Sequence, residues 1–427
     1  MDIYVVKKGD TLGDIAARFG VRAGLLAASN GIAPEETLIV GQTLVVRYPE
    51  RTHTVEAGDT VYSVAKEYGI SVTELFARNY ILRGQARLYR GQVLVISYAD
   101  EPGKSIGING YAYPYINEQL LDATLPYMTY LTPFTYGIGE DGRLIELGDD
   151  ALRAAAGYYR AATLMHLSSL TEEGRFSNDR SSKVLRDETL RAALIADVAA
   201  TLQKKDFYGL DVDFEYVFPD ERELYADFVR QLRDTLNPLG IPVLAALAPK
   251  TSAMQRGLLY EAHDYALLGA AANAVLLMTY EWGYTYGPPM AVAPLPQVRQ
   301  VLEYALSEIP AEKIFLGVPL YGYDWPLPYE QGASRAESIS SEQAVDLARR
   351  YGAEILFDET AQSPHFTYAD RGGRQHEVWF EDARSMRAKL SLVEEFGLQG
   401  IGYWNLMRPF AQNWALLTGV FRVEKLF

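Results

Sequence analysis

The chain contains no cysteine, which removes disulfide frameworks, thiol nucleophiles and thiolate metal sites together. Its five histidines, His53, His166, His263, His365 and His376, are scattered without metal-ligand spacing, so neither a metal nor any other cofactor is expected. His166, near the end of an apolar run, could reach a cleft there, but a packed core histidine is the preferred reading. No stretch of about 18 uncharged apolar residues occurs, so no membrane-spanning helix is expected. The opening Met1-Asp2-Ile3 lacks the basic start and apolar run of an export signal, so no cleaved leader is expected. Cations are also scarce, with 40 Lys and Arg against 55 Asp and Glu for a net charge of −15. That balance argues against nucleic acid, whose binding is dominated by cations on phosphates.

What is present is apolar material and tyrosine. A chain of 427 residues that is 48% hydrophobic can bury two or three cores. Thirty tyrosines exceed the 16 phenylalanines and five tryptophans combined, a bias that suits surfaces stacking on rings while hydrogen-bonding their hydroxyls.

The first hundred residues repeat. Val6-Lys7-Lys8-Gly9-Asp10-Thr11-Leu12 returns as Val55-Glu56-Ala57-Gly58-Asp59-Thr60-Val61, and Asn30 aligns with Asn79. After one inserted residue Gly41-Gln42-Thr43-Leu44 aligns with Gly91-Gln92-Val93-Leu94. Each unit reads as a short strand, a turn in which Asp or Thr caps a helix, a second short helix and a closing strand. These βααβ units, residues 2–47 and 52–98, resemble the lysin motif. The resemblance implies binding of N-acetylglucosamine glycans such as peptidoglycan or chitin, in a groove formed by Gly9, Asp10, Thr11 and Leu12 with Ile32 and Ala33. In the second copy the groove would use Gly58, Asp59, Thr60 and Val61 with Ile81 and Leu82. Duplication suits avidity between two weak sites. Residues 1–98 carry 11 Lys and Arg against 10 Asp and Glu, which leaves −16 for the remainder. A short polar linker is expected at residues 99–105.

From Ile106 onward eight apolar runs alternate with helical patterns: Ile106 to Tyr113, Met128 to Tyr136, Thr163 to Ser169, Tyr208 to Tyr216, Val243 to Pro249, Ala274 to Trp282, Ile314 to Tyr323 and Gly400 to Leu406. Eight strand–helix units over residues 106–427 point to an α/β fold, a closed (β/α)8 TIM barrel, with a small α+β insertion at about 326–380. In such a barrel the chemistry belongs at strand C-termini. The fourth run ends Gly209-Leu210-Asp211-Val212-Asp213-Phe214-Glu215. Alternation sets its three carboxylates on one face of a strand that should be buried on both sides. Crowding and burial raise a carboxyl pKa, as a general acid requires. A divalent-cation site, a solvated strand edge and an inverting carboxylate pair are alternatives that spacing alone leaves open.

This segment resembles the D-G-x-D-x-D-x-E motif of glycoside hydrolase family 18. Met278-Thr279-Tyr280-Glu281, Leu316 to Gly322 and Gly402-Tyr403-Trp404 resemble its sixth, seventh and eighth strand segments. Glu281-Trp282-Gly283-Tyr284, Gly287-Pro288-Pro289 and the paired lysin motifs are similar to the N-acetylglucosaminidases of this family that degrade bacterial spore cortex fragments during germination. The resemblance implies peptidoglycan hydrolysis at the spore by a substrate-assisted, retaining route. Glu215 would be the acid–base, Asp213 would hold the substrate acetamido N–H, Asp211 would tune Asp213, and Tyr280 would bond the acetamido oxygen. Trp404, Glu281, Trp282 and Tyr321 would bind substrate. A chitinase, or a glycan-binding protein on a retired barrel, are the alternatives; such lectins lose the terminal glutamate, which is present here. Tyr208 stands where the motif begins with Asp and is expected to remove a supporting charge. Phe214 is expected to point away from the carboxylates.

Overall fold

The computed structural model describes residues 1–100 and 102–427, so Glu101 of the expected linker lies outside the described residues. Each front unit is a strand–helix–helix–strand module. In the first, β1 (Asp2–Val5) pairs antiparallel with β2 (Thr43–Val46), Ile3 opposite Val45, around helices Leu12–Phe19 and Ala23–Asn30. In the second, β3 (Pro49–Thr54) pairs with β4 (Val93–Tyr98) around helices Val61–Glu67 and Val72–Arg78. Threonine, not aspartate, caps the first helix of each: Thr11 Oγ1 accepts from the Asp14 N–H at 3.2 Å and Thr60 Oγ1 from the Ser63 N–H at 3.0 Å. Buried Asn30 ties the second helix to β2. It accepts from the Val45 N–H at 2.7 Å and donates to the Val45 and Leu26 carbonyls, and Asn79 repeats all three bonds with Val95 and Leu75.

Among the described residues, eight parallel strands close into a barrel. They are β5 (Ser105–Ala112), β6 (Tyr130–Pro133), β9 (Ala162–Ser168), β10 (Gly209–Asp213), β11 (Val243–Leu247), β12 (Ala274–Leu277), β13 (Ile314–Pro319) and β19 (Gly400–Trp404), and Ile401 pairs with Ile108 to shut the ring. A side hairpin, β7 (Gly137–Ile138) and β8 (Leu144–Ile145), follows the second barrel strand. The insertion after the seventh barrel strand is an antiparallel sheet in the order β15 (Glu337–Ile339), β14 (Gly322–Pro326), β18 (Gln375–Trp379), β17 (Ser363–Ala369) and β16 (Leu356–Asp358), backed by helix Ser341–Tyr351. It includes a hairpin that turns through Asp370–Gly373. The terminal β20 (Arg422–Val423) adds to the start of β5.

Tyr130, Leu164, Leu244, Leu276 and Phe315 fill the barrel interior in one buried cluster, the layered packing of a closed barrel rather than a pore. Several strands stop earlier than their apolar runs. After Leu277 the chain curls through N–H to carbonyl bonds from Thr279 to Leu277 and from Tyr280 to Met278, both 2.9 Å; Glu281 then takes a left-handed conformation at φ 68°. The run through Trp282 is therefore a strand followed by a site-forming bend.

The repeats dock on the barrel differently. The second shares a continuous core with the barrel's helices, Phe76 packing edge-on against Tyr159 at 6.0 Å. The first keeps a core of its own but lends Val45 to the shared one, bonds the last helix through Thr43 to Gln412 and Arg47 to Thr418, and is also fixed through its loop 31–42. The Ile355 N–H donates to the Val40 carbonyl at 3.0 Å, and Arg349 bonds the Thr37 carbonyl and Glu36. Gly41 lies so close to the Ile355 carbonyl that a Cβ there would sit 1.8 Å from it.

Candidate active site

Asp211 and Asp213 project from the last residues of β10, one fully buried and the other 4% exposed. Glu215 lies beyond the strand in the turn and is half-buried, and Tyr216 after it is left-handed at φ 56°, a strained backbone of the kind functional sites retain. Asp213 and Glu215 line a cleft of about 870 Å³ with Tyr280, Glu281, Trp282 and Trp404. Asp211 is not in the wall. It sits behind, where the Tyr111 hydroxyl donates to Oδ2 at 2.6 Å and Oδ1 has no partner.

Electrostatics follow from this layering. Burial raises the pKa of all three carboxyls, with Asp213 and Glu281 adding to the effect on Glu215. A proton is therefore retained on the Glu215–Asp213 pair under conditions where exposed carboxylates have lost theirs. The general-acid side chain needs such a shift near neutrality. Among the described residues lining the cleft there is no lysine or arginine to offset the negative charge.

Trp404 stands half-buried at the end of β19, edge-on to Phe134 at 4.9 Å and to Tyr111 at 5.7 Å, which leaves an aromatic surface toward the cleft. Phe214 turns the other way and stacks on Tyr225 and Phe228. Tyr321 is not in the cleft wall. It is 6% exposed and donates to Glu281 Oε1, while the Tyr323 hydroxyl reaches the same oxygen at 3.0 Å; Tyr321 thus holds Glu281 rather than a ligand. Tyr208 precedes β10 at the opposite end of the barrel, packed against Tyr130 and Phe427. Five residue steps along the strand separate it from Asp213, on the order of 16 Å. A charge there would not support the carboxylates, so the expected loss does not occur.

His166 is packed and also borders the cleft, so both readings of it meet in one residue. It is 1% exposed, its Nε2 lies 3.5 Å from Asp213 Oδ2, and Nδ1 and Thr135 Oγ1 are 2.6 Å apart. Burial lowers its pKa to about 4, which keeps the ring neutral. Tyr111, Tyr113 and Phe134 also line the cleft and were not singled out in the sequence. Their signal was available, because each closes one of the first two barrel runs where site residues gather.

In the repeats, Gly9 and Gly58 turn at φ 90° and 95°, Asp10 accepts from the Lys7 N–H at 2.8 Å, and Asp59 accepts from the Glu56 N–H at 2.7 Å. Leu12, Val61 and Leu82 are buried in module cores, so they offer a ligand only backbone. Ile32 is half-buried beside the insertion, whereas Ile81 is 53% exposed and Tyr89 60%. The loop carrying the expected groove thus packs on the insertion in the first repeat, with Ala33 still exposed, and is open in the second.

Comparison with known proteins agrees with this geometry. The model for glycosyl hydrolases family 18 matches residues 171–408, and the LysM domain model matches residues 4–47 and 53–97. The cortical fragment-lytic enzyme of Bacillus subtilis (strain 168) is 40% identical over 431 residues, covering 100% of this chain and 99% of that protein. The crystal structure of the Bacillus cereus spore cortex-lytic enzyme SleL superposes with a TM-score of 0.84 at 38% identity, over 99% of this chain and 98% of that one. That of the Bacillus megaterium QM B1551 enzyme gives 0.84 at 37%, over 100% and 99%. The chain belongs to glycosyl hydrolase family 18, with two LysM domains preceding its barrel.

Proposed function

We propose that this chain is a spore-cortex peptidoglycan hydrolase, an N-acetylglucosaminidase that cleaves the β-1,4 bond after N-acetylglucosamine with retention of configuration. One observation carries the reading: Asp211, Asp213 and Glu215 step outward along one strand end, from a buried carboxyl to one in the cleft wall. Glu215 protonates the leaving oxygen and then takes a proton from the attacking water. Asp213 holds the substrate's acetamido N–H while the acetamido oxygen closes on the anomeric carbon, so no protein nucleophile is required. Asp211 and His166 flank Asp213 and fix its orientation. Tyr280 bonds the acetamido oxygen, Trp404 forms the floor, and Glu281 and Trp282 contact the sugar on the leaving side. The full-length similarity to cortical fragment-lytic enzymes supports cortex as substrate and the spore as the place of action.

Mass spectrometry of cortex fragments incubated with the purified chain tests this. New reducing-end N-acetylglucosamine, absent with Glu215→Gln, is the expected result. Cleavage of chitohexaose but not of cortex fragments would make it a chitinase, and binding without cleavage would make it a lectin.

A further inference from the structure

Among the described residues the cleft is lined by carboxylates and by no lysine or arginine, and a groove between the repeats has the opposite character. About 300 Å³ of space opens between helix Ala23–Asn30 of the first repeat and helix Val72–Arg78 with β4 of the second, lined by Arg22, Ala28, Arg78, Tyr80 and Tyr98 among others. A further 470 Å³ lies over the open loop of the second repeat, lined by Gln85, Arg87 and Tyr89. Ile81 and Gln92 line both, so the two spaces adjoin across these side chains.

Among the described residues no aspartate or glutamate lines either part, in a chain whose net charge is −15. Arg22 and Arg87 are exposed. Arg87 stands over the Tyr89 ring at 5.1 Å, and among the described residues neither arginine has a carboxylate partner. Arg78 is anchored to the Ile96 carbonyl and pairs with Glu74 at 3.6 Å outside the groove. The repeats also diverge here: Arg22 occupies the position at which Ser71 caps the matching helix of the second repeat. A capping side chain has been replaced by an unpaired cation facing the groove.

We propose that this inter-repeat groove is a second binding site, formed jointly by the two repeats, for the carboxylate-bearing part of a peptidoglycan strand. The exposed Tyr89 ring offers a face to a sugar, whereas Arg47 covers Tyr98 at 3.7 Å. Arg22 and Arg87 bind stem-peptide or lactyl carboxylates by charge-assisted hydrogen bonds. The uncharged sugar to be cut is left to the cation-free cleft, where a carboxylate on the ring would be repelled by Asp213, Glu215 and Glu281. Two exposed arginines, Arg175 and Arg256, stand on loops near the cleft, outside its lining, and do not alter its floor. The site goes beyond the hydrolase reading and rests on it only in taking peptidoglycan as the ligand.

The test is binding by the full-length Glu215→Gln chain to three ligands: cortex glycan fragments with free peptide carboxylates, the same fragments after amidation, and chitohexaose. Native fragments should bind more tightly than amidated ones, and the difference should shrink in high salt. Adding Arg22→Glu and Arg87→Glu should weaken native fragments by about tenfold while leaving chitohexaose within about twofold. Ala28→Trp, which fills the groove without changing charge, should weaken them as well. Equal affinity for native and amidated fragments, or an equal loss for chitohexaose, would overturn the proposal. Because the readout is binding by an inactive chain, a failure of the hydrolase assignment would appear separately, as wild-type protein that leaves cortex fragments intact.

Discussion

The cleft and the repeats solve the same recognition problem with opposite placement of polar groups. In the cleft the polar side chains are buried, and two carboxylate oxygens, Asp211 Oδ1 and Asp213 Oδ1, have no hydrogen-bond partner. In the repeats the Gly-Asp-Thr turns complete their own hydrogen bonds at the surface, and aromatic and aliphatic groups are left bare. Chemistry needs groups held away from their preferred protonation state, at a cost in stability. Adhesion needs only exposed shape and charge. The two regions should therefore respond differently to substitution.

The largest effect separates them outright. Glu215→Gln should lower kcat on cortex fragments by about a thousandfold or more while binding to insoluble cortex stays unchanged; a parallel fall in binding would break the contrast. Asp213→Asn should also abolish most activity yet raise stability. Burial holds the folded Asp213 pKa above its unfolded value. Its contribution to stability is complete below the unfolded pKa and is lost as pH rises through the folded one. The asparagine variant should therefore melt about 2–4 °C higher than wild type at about pH 8 and no higher at about pH 3.5, by calorimetry.

Smaller effects sharpen the comparison. Glu281 raises the Glu215 pKa, so Glu281→Gln should move the alkaline limb of the kcat/KM profile to lower pH, measured on a soluble chitooligosaccharide. Asn79→Ala strands the Val95 N–H in a module core and should cost about 1–3 kcal/mol in denaturant unfolding, with activity on soluble substrate unchanged. Thr60→Ala, which removes an exposed cap, should cost about 1 kcal/mol and leave cleavage of soluble substrate in place.

The barrel and the modules were legible because periodicity and repetition are written locally: Asp211, Asp213 and Glu215 announced themselves as charges in a strand that should have none. Strand ends were less legible, since Thr279 to Trp282 continue an apolar run while the backbone already bends. His166 and Tyr321 were harder to place for a related reason. Whether a side chain faces the cleft or stands behind a neighbour depends on barrel register, as with Asp211 opposite His166, and no single segment encodes that. The unequal fates of the two repeats were invisible, because what holds loop 31–42 is Arg349 and Ile355, more than three hundred residues away in sequence.

That loop has a mechanical consequence. A glycan-binding module on a flexible tether samples a volume and delivers substrate statistically. Here the first repeat is fastened to the insertion through Val40, Thr37 and Glu36, and the second shares its core with the barrel. The separation between the repeats and the cutting residue is therefore a fixed length, and the molecule acts as a ruler: a strand held at the repeats can be cut only where its own sugars span that length.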